Sequence, residues 1–596
     1  MLRPQTNALR TALDCSGLWR FRPDPDGVGA DRGWPAGFDG GLDIAVPGSW
    51  NEQLAEAGLM NYVGGAWYQR DVTVPADWLD RRIVLRIGSA DYRAKLWVNG
   101  ALVAENDILC LPFEADVQDH VTPGQAARIV VWVSNAFTAD TITQAVTLDD
   151  LEAEGRLRDE YFPSVRFDFF PYGGLQRPVW MTCTPTTHIA DIAVTTMLPE
   201  PSVGAVSIEV TVSGPADAVR LVLEGDGDRW QVEATVSAGR ATAVIDLAGC
   251  RPWSPDDPFL YELEVSALTA GNVVDVYRQP VGVREVRVER GRLMLNGQPI
   301  HLRGFGKHED APIHGRGLNL PQMVKDFGLM RWIGANSFRT SHYPYAEEWL
   351  DQADRAGVLV ISELPSINLD FRKVTDATLA NHRRALAAQI ARDRNHPCVI
   401  MWSLANEPGY LGESEYHGAA GDYWRTLASD AKALDPSRPT TIANMHRVGP
   451  RDPAFDHVDV ISLNRYYGWY DMPGQLDRAT ARLADELADI AGHYGKPILV
   501  SEFGADTLAG AHATTPQMFT EEYQADFLAA YCAVIEACDH CIGAHVWNFA
   551  DFRTAQHHRR VIVNLKGVFT RTRDPKRAAF VLRELWSRPW GAARGG

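Results

Sequence analysis

No stretch of about eighteen consecutive apolar residues occurs anywhere in this chain of 596, so no segment reads as a membrane-spanning helix. The first residues, MLRPQTNALRTALDCSGLW, also lack the unbroken apolar core of a secretory signal. Asn-x-Ser/Thr acceptor sites are missing altogether, and the eight cysteines are scattered too irregularly for a disulfide framework. Together these absences make a reduced, cytoplasmic protein the expectation. Positive charge is in deficit as well: 58 Lys and Arg stand against 76 Asp and Glu, a net charge of −18. That balance argues against nucleic acid or an anionic membrane as a partner. Cys538 and Cys541, with His540 between them, have the spacing of half a metal site, but no second pair matches it. Packing thiols, with no metal and no cofactor, are the expectation. No Gly-rich phosphate loop follows any strand-like run, which disfavours a nucleotide-binding doubly wound sheet.

What the chain does contain is ample material for cores, with 45% hydrophobic residues and 22% charged. A length of 596 residues suggests roughly three or four domains. Residues 1–184 read as all-β: RIVLRIG and YRAKLWVNG alternate apolar and polar positions, and Asn99-Gly100 is a hairpin signal. Trp19, Trp34, Trp50, Trp67 and Trp97 are expected mostly in the core, although a sugar-stacking surface is the functional alternative. Residues 185–285 carry shorter, plainer strands with a turn at Asp226-Gly227, the pattern of an immunoglobulin-like β-sandwich. From 286 to 596 the texture changes. Eight apolar runs, most of them separated by amphipathic helical stretches, predict a (β/α)8 barrel, the TIM-barrel fold. They are HLRGFGKH, GANSFRTSH, GVLVISELP, PCVIMWSLANEP, PTTIANM, VDVISLNRYYG, KPILVSEFG and GAHVWNFADF.

Reactive side chains collect at the C-terminal ends of those runs, where barrel enzymes build their sites. They are His308 with Glu309 and Asp310, His342, Asn406 with Glu407, Asn464 with Tyr466, Glu502, and Trp547 with Asp551. Any one of them has a bland reading as a helix cap or a satisfied polar group, but their placement on one rim does not. His308, Glu309 and Asp310 are not expected to form a metal site, because adjacent residues rarely converge on one ion. Glu407 ends the fourth run and Glu502 the seventh, and strands four and seven face each other across a barrel mouth. Two carboxyl groups flanking a sugar are what glycosidic cleavage requires, one protonated to donate to the leaving oxygen and one ionised.

At WSLANEPG and VSEFGADT the chain resembles glycoside hydrolase family 2, and the likeness runs from DCSGLWRF, VPGSWNEQ and WYQRDVTVP to FTRTRDPK. That resemblance implies an N-terminal jelly-roll β-sandwich, then the immunoglobulin-like sandwich, then the catalytic barrel. Within the family, FDFFPYGGLQRPV, GFGKHED, WIGANSFRTSHYPYAEE, NRYYGWY, WNFADF and N-L-K-G are similar to members acting on β-glucuronides. The resemblance implies Glu407 as general acid/base and Glu502 as nucleophile of a retaining double displacement. It implies Asn406 at the sugar 2-OH, Tyr466 against the nucleophile, and Asp168, His308 and Trp547 at the other hydroxyls. Asn564, Lys566, Tyr470 and Arg560 match the group around the substrate's C6 carboxylate. Small-molecule or oligosaccharide β-glucuronides are thus the expected partners, and a homo-oligomer, dimer or tetramer, is implied.

A β-galacturonide differs only at O4, so that substrate stays open here, with Asp168 and His308 positioned to decide it. A catalytically silent carbohydrate-binding protein on the same fold is disfavoured by the intact Glu407 and Glu502. The segment ELPSINLDFRKVTDATLANHRRALAAQ is short where some relatives carry a long loop, which implies an open aglycone side. In the basic stretch HHRRVIV before Asn564, Arg559 or Arg560 either adds to carboxylate recognition or pairs with the acidic surface, and the two readings stay open here.

Overall fold

A computed structural model describes residues 1–146, 161–409, 415–446 and 448–591. The N-terminal region is a sandwich of a six-stranded and a four-stranded antiparallel sheet. Its centre is Ala126–Ser134, paired on one side with Gly65–Thr73 and on the other with Arg93–Val98. Asn99 and Gly100 turn that last strand back with φ of 49° and 83°, the left-handed pair a tight hairpin needs. All five early tryptophans are buried, but in two places. Trp19 and Trp50 lie between the sheets, whereas Trp34, Trp67 and Trp97 form a separate cluster with Phe38. The sugar-stacking alternative therefore does not describe them.

The second sandwich packs a three-stranded sheet (His188–Glu200, Val203–Ser213, Arg240–Ala248) on a four-stranded one. Strict alternation along Val203–Ser213 puts Val206, Ile208, Val210 and Val212 inside. Asp226 and Gly227, both at positive φ, form the expected hairpin between Ala218–Gly225 and Asp228–Thr235.

Eight parallel strands then close a barrel: β1 (Leu302–Lys307), β2 (Ser337–Thr340), β3 (Leu359–Glu363), β4 (Val399–Asn406), β5 (Thr440–Asn444), β6 (Val460–Asn464), β7 (Ile498–Glu502) and β8 (Cys541–Val546). Each expected run supplies one strand. The reason is burial on both faces, by barrel interior and by surrounding helices, so the strands read as apolar runs rather than alternating ones. The helices carry their own stop and start signals. Asn319 caps Leu320–Ile333 and left-handed Gly334 ends it, while Thr375 and Thr378 form a capping box on Asp376–Asp393. Among the described residues no helix joins β5 to β6.

The first region is bolted onto the barrel mouth by buried ion pairs, Arg177 with Glu309 and Arg316 with Asp91. Tyr172 donates to Asp310 at 2.8 Å. Glu309 and Asp310, which looked reactive in sequence, are thereby spent on domain contacts, and with His308 they point to different partners. Beyond these anchors Phe162 pairs with Gln556, so the segment from 161 to 173 lies against the loop after β8. No described helix is long and apolar enough to cross a membrane.

Candidate active site

At the C-terminal end of the barrel a cavity of about 330 Å³ is lined by Glu407, Glu502, Asn406, Tyr466, Trp547, Tyr470, Asp168 and Arg560. Glu407 follows directly on β4 in the left-handed region, at φ 50°, an unfavourable backbone state for a non-glycine residue. Its amide donates to the Ala443 carbonyl at 2.8 Å, which pins that conformation across to β5. Asn464, at the end of β6, donates through Nδ2 to Glu407 Oε1 at 2.9 Å, and Ser501 Oγ holds its Oδ1 at 2.8 Å. Burial, and then the charge of Glu502, push the Glu407 carboxyl up to about 7.

Glu502 ends β7 and is held differently. Tyr466 donates its hydroxyl to Oε2 at 2.7 Å, and the Arg339 guanidinium holds Oε1. Each oxygen thus accepts from one strong donor, an arrangement that fits an ionised carboxylate aimed into the cavity. Arg339, on β2, also grips both oxygens of Glu363 at 2.7 Å. Burial raises Glu363, but Arg339, His342 and Ser403 outweigh it and hold it below the usual carboxylate range. Asn406 accepts on Oδ1 from Asn464 at 3.2 Å and Arg339 at 3.4 Å, which leaves its Nδ2 as the donor toward the cavity. Trp547 stacks on His342 with centroids 5.0 Å apart, forming an aromatic floor.

Arg339, Glu363 and Asp506 were missed in the sequence. Arg339 and Glu363 had the same signal as Glu407, a charged residue at or near the end of an apolar run. Asp506 lies four residues beyond Glu502 in VSEFGADT and gives no sign of its partners.

The loop after β8 carries a short two-stranded ladder, Phe552–Arg553 with Val563–Asn564, that fixes Asn564 and Lys566. Asp551, the last reactive residue of that run, is structural: it accepts from Gly567 N at 3.0 Å and pairs with Lys576 at 2.8 Å. Lys566 is 1% exposed and its ammonium is already engaged, by Asp506 at 2.5 Å and Tyr470 at 3.0 Å. Burial works against the charged form of Asp506, yet Lys566 and Arg560 hold its carboxyl below the ordinary range. Asn564, fully buried, donates to Asp168 at 2.8 Å. Arg560 clamps Asp168 with Nε at 2.9 Å and Nη2 at 2.5 Å, and reaches Asp506 at 3.2 Å. Of the expected site residues, His308, Asn564 and Lys566 do not line the cavity. His308 packs behind it, against Phe552 and Trp547, with Nε2 unpaired among the described residues.

Among the described residues, Asp354, His396 and Cys398 bring three ligand-type atoms within 4.8 Å. His396 and Cys398 directly precede β4 and Asp354 lies near the end of the helix Glu347–Ala356, away from the mouth. His396 Nδ1 and Cys398 N are both spent on Asp354, at 2.6 and 2.9 Å, so the group reads as a hydrogen-bonded anchor.

Family models match this chain from end to end. "Glycosyl hydrolases family 2, sugar binding domain" covers residues 12–185, "Glycosyl hydrolases family 2" covers 187–284, and the "TIM barrel domain" of the same family covers 286–589. The chain belongs to glycosyl hydrolase family 2. Among family 2 proteins it is similar to a "Beta-glucuronidase" of Paenibacillus borealis, 41% identical with 98% of each chain covered. Its fold superimposes on a solved Bifidobacterium dentium beta-glucuronidase complexed with coumarin-3-O-glucuronide, at a TM-score of 0.92 and 36% identity over 100% of both chains. A Ruminococcus gnavus b-glucuronidase in complex with D-glucuronic acid gives a TM-score of 0.90 and 34% identity, covering 98% and 99%. The family 2 order of sandwich, sandwich and barrel is the one read from the sequence.

Proposed function

We propose that this enzyme hydrolyses β-D-glucuronides to D-glucuronate and an alcohol, by double displacement at Glu502 with Glu407 as acid and base. The observation that carries this reading is the adjacency of two machines. A pair of carboxyls in different surroundings, Glu407 on the Asn464 amide and Glu502 between a phenol and a guanidinium, lies beside a group of cations and amides suited to a carboxylate. The relatives named above, called beta-glucuronidases across their whole length, support it.

Glu407, raised to about 7, is protonated in mildly acidic solution and still largely so just below neutrality, and so donates to the departing oxygen. Glu502, between Tyr466 and Arg339, attacks the anomeric carbon from the opposite face. Glu407 is left ionised and next takes a proton from water, which displaces Glu502. Asn406 Nδ2 reaches the sugar 2-OH, and Trp547 and Asp168 meet the other hydroxyls, with His308 supporting Trp547 from behind the cavity wall. Asn564, Lys566, Tyr470 and Arg560 receive the C6 carboxylate.

Proton NMR during hydrolysis of an aryl β-D-glucuronide tests the reading. The β-anomer of glucuronate is expected first, with the α-anomer growing in later by mutarotation. An α-anomer at the earliest times would replace double displacement by direct attack of water.

A pH profile checks the acid. Because Glu407 must carry its proton, kcat/KM is expected to fall as pH rises through about 7. The Asn464 hydrogen bond favours the ionised form, so Asn464→Leu should move that alkaline limb upward. A limb that stays in place, or moves down, would contradict the assignment.

A further inference from the structure

The two residues best suited to read a uronate are sealed off in the ligand-free enzyme. Asn564 is 0% and Lys566 1% exposed. Between Asn564 and the cavity stands Asp168, and between Lys566 and the cavity stands Tyr470; Asp168 and Arg560 line the wall while joined to each other. The charges of the group cancel: Lys566 and Arg560 are balanced by Asp506 and Asp168. An incoming uronate would be a third anion beside these two cations, and it competes with the two carboxylates for their donors.

The two carboxylates are not equivalent. Asp506 is 4% exposed and held by Lys566, Arg560 and the Leu565 amide, all inside the barrel domain. Asp168 is 28% exposed, comes from the other domain, and touches only Arg560 and Asn564 in this group. Its two oxygens take a planar guanidinium fork plus an amide, which is the donor set a substrate carboxylate would want. Asp168 keeps part of its carboxylate in reach of water and a new anion takes over the donors it leaves, whereas stripping Asp506 would leave a buried cation bare.

We propose that Asp168 is a stand-in for the substrate: its carboxylate occupies the uronate-reading donors of the empty enzyme, and the C6 carboxylate displaces it from Arg560 and Asn564. Displaced, Asp168 is free to accept from sugar hydroxyls, which unites its observed contacts with the place the family resemblance gives it. Asp506 stays as the fixed counter-charge that keeps Lys566 in position. This inference rests on the uronide reading above.

The test is calorimetric binding of D-glucuronate and D-glucose to the wild-type enzyme and to Asp168→Asn. Loss of a hydroxyl contact affects both sugars and cancels in the ratio of their dissociation constants. Removal of the competing anion affects glucuronate alone, so the preference for glucuronate should rise by about fivefold. A preference that is unchanged or reduced in the variant overturns the stand-in role and makes Asp168 a support for Arg560. A wild-type enzyme that binds both sugars alike overturns the uronide reading and this one with it. A crystal structure of the unaltered enzyme with D-glucuronate gives an answer independent of the variant's folding. Arg560 should leave Asp168 for the ligand while Lys566 remains on Asp506. Retention of both Arg560–Asp168 bonds beside the bound uronate would refute the exchange.

Discussion

Glu502→Gln should lose at least about 10⁴-fold in kcat on aryl β-glucuronides while remaining folded, because no other group can form the covalent intermediate. The amide keeps the size and both flanking positions, next to Tyr466 and the Arg339 guanidinium, but has no anionic oxygen for the anomeric carbon. The same change tests the electrostatics of the pair. Glu502 is one of the groups holding Glu407 up near 7, so its neutralisation should let Glu407 ionise at lower pH. In a smaller variant, Glu502→Ala, added azide can enter the space and attack an activated aryl glucuronide. The product should be the α-glucuronyl azide, since only one displacement then occurs. Residual turnover above about one per cent of wild type, or a β-azide, would move the nucleophile elsewhere.

Lys566→Met should cost glucuronide hydrolysis about 10²–10³-fold in kcat/KM and leave glucoside hydrolysis nearly unchanged. A charge-assisted bond contributes about 1.5–3 kcal/mol, and an unpaired carboxylate in the pocket adds to the loss. The change also leaves Asp506 with Arg560 and the Leu565 amide as its remaining partners in a buried place. Lower thermal stability is therefore expected alongside, of the size seen when one partner of a buried pair is removed, roughly 3–5 kcal/mol. Both substrates see the same folded fraction, so the ratio of their kcat/KM values separates recognition from folding. Equal losses on both would make the lysine a structural counter-ion of Asp506.

The barrel was legible because a strand buried on both faces must be apolar throughout, so LVISE, ILVSE and their neighbours show up as runs. Glu407 and Glu502 were legible for the same reason, as charges where a run stops. Pairings across the fold were not. Arg339 and Glu502 are 163 residues apart, and Arg560 and Asp168 are 392 apart. No local pattern records such a distance, so Lys566 looked like a waiting cation although Asp506 already holds it. The domain contacts of Glu309 and Asp310 were hidden in the same way, since their partners Arg177 and Tyr172 lie in the first sandwich.

Everything proposed for the group around Lys566 comes down to whether the enzyme distinguishes a carboxylate from a hydroxymethyl at C6. The direct measurement is kcat/KM for β-D-glucuronide and β-D-glucoside of one phenol, with the β-D-galacturonide as a third substrate to read O4. The glucuronide should be preferred over the glucoside by at least about 10²-fold, the scale of one charge-assisted contact plus the cost of leaving it unfilled. A glucoside cleaved as fast as the glucuronide would mean that Lys566, Asn564 and Arg560 serve the fold and that the substrate is another sugar.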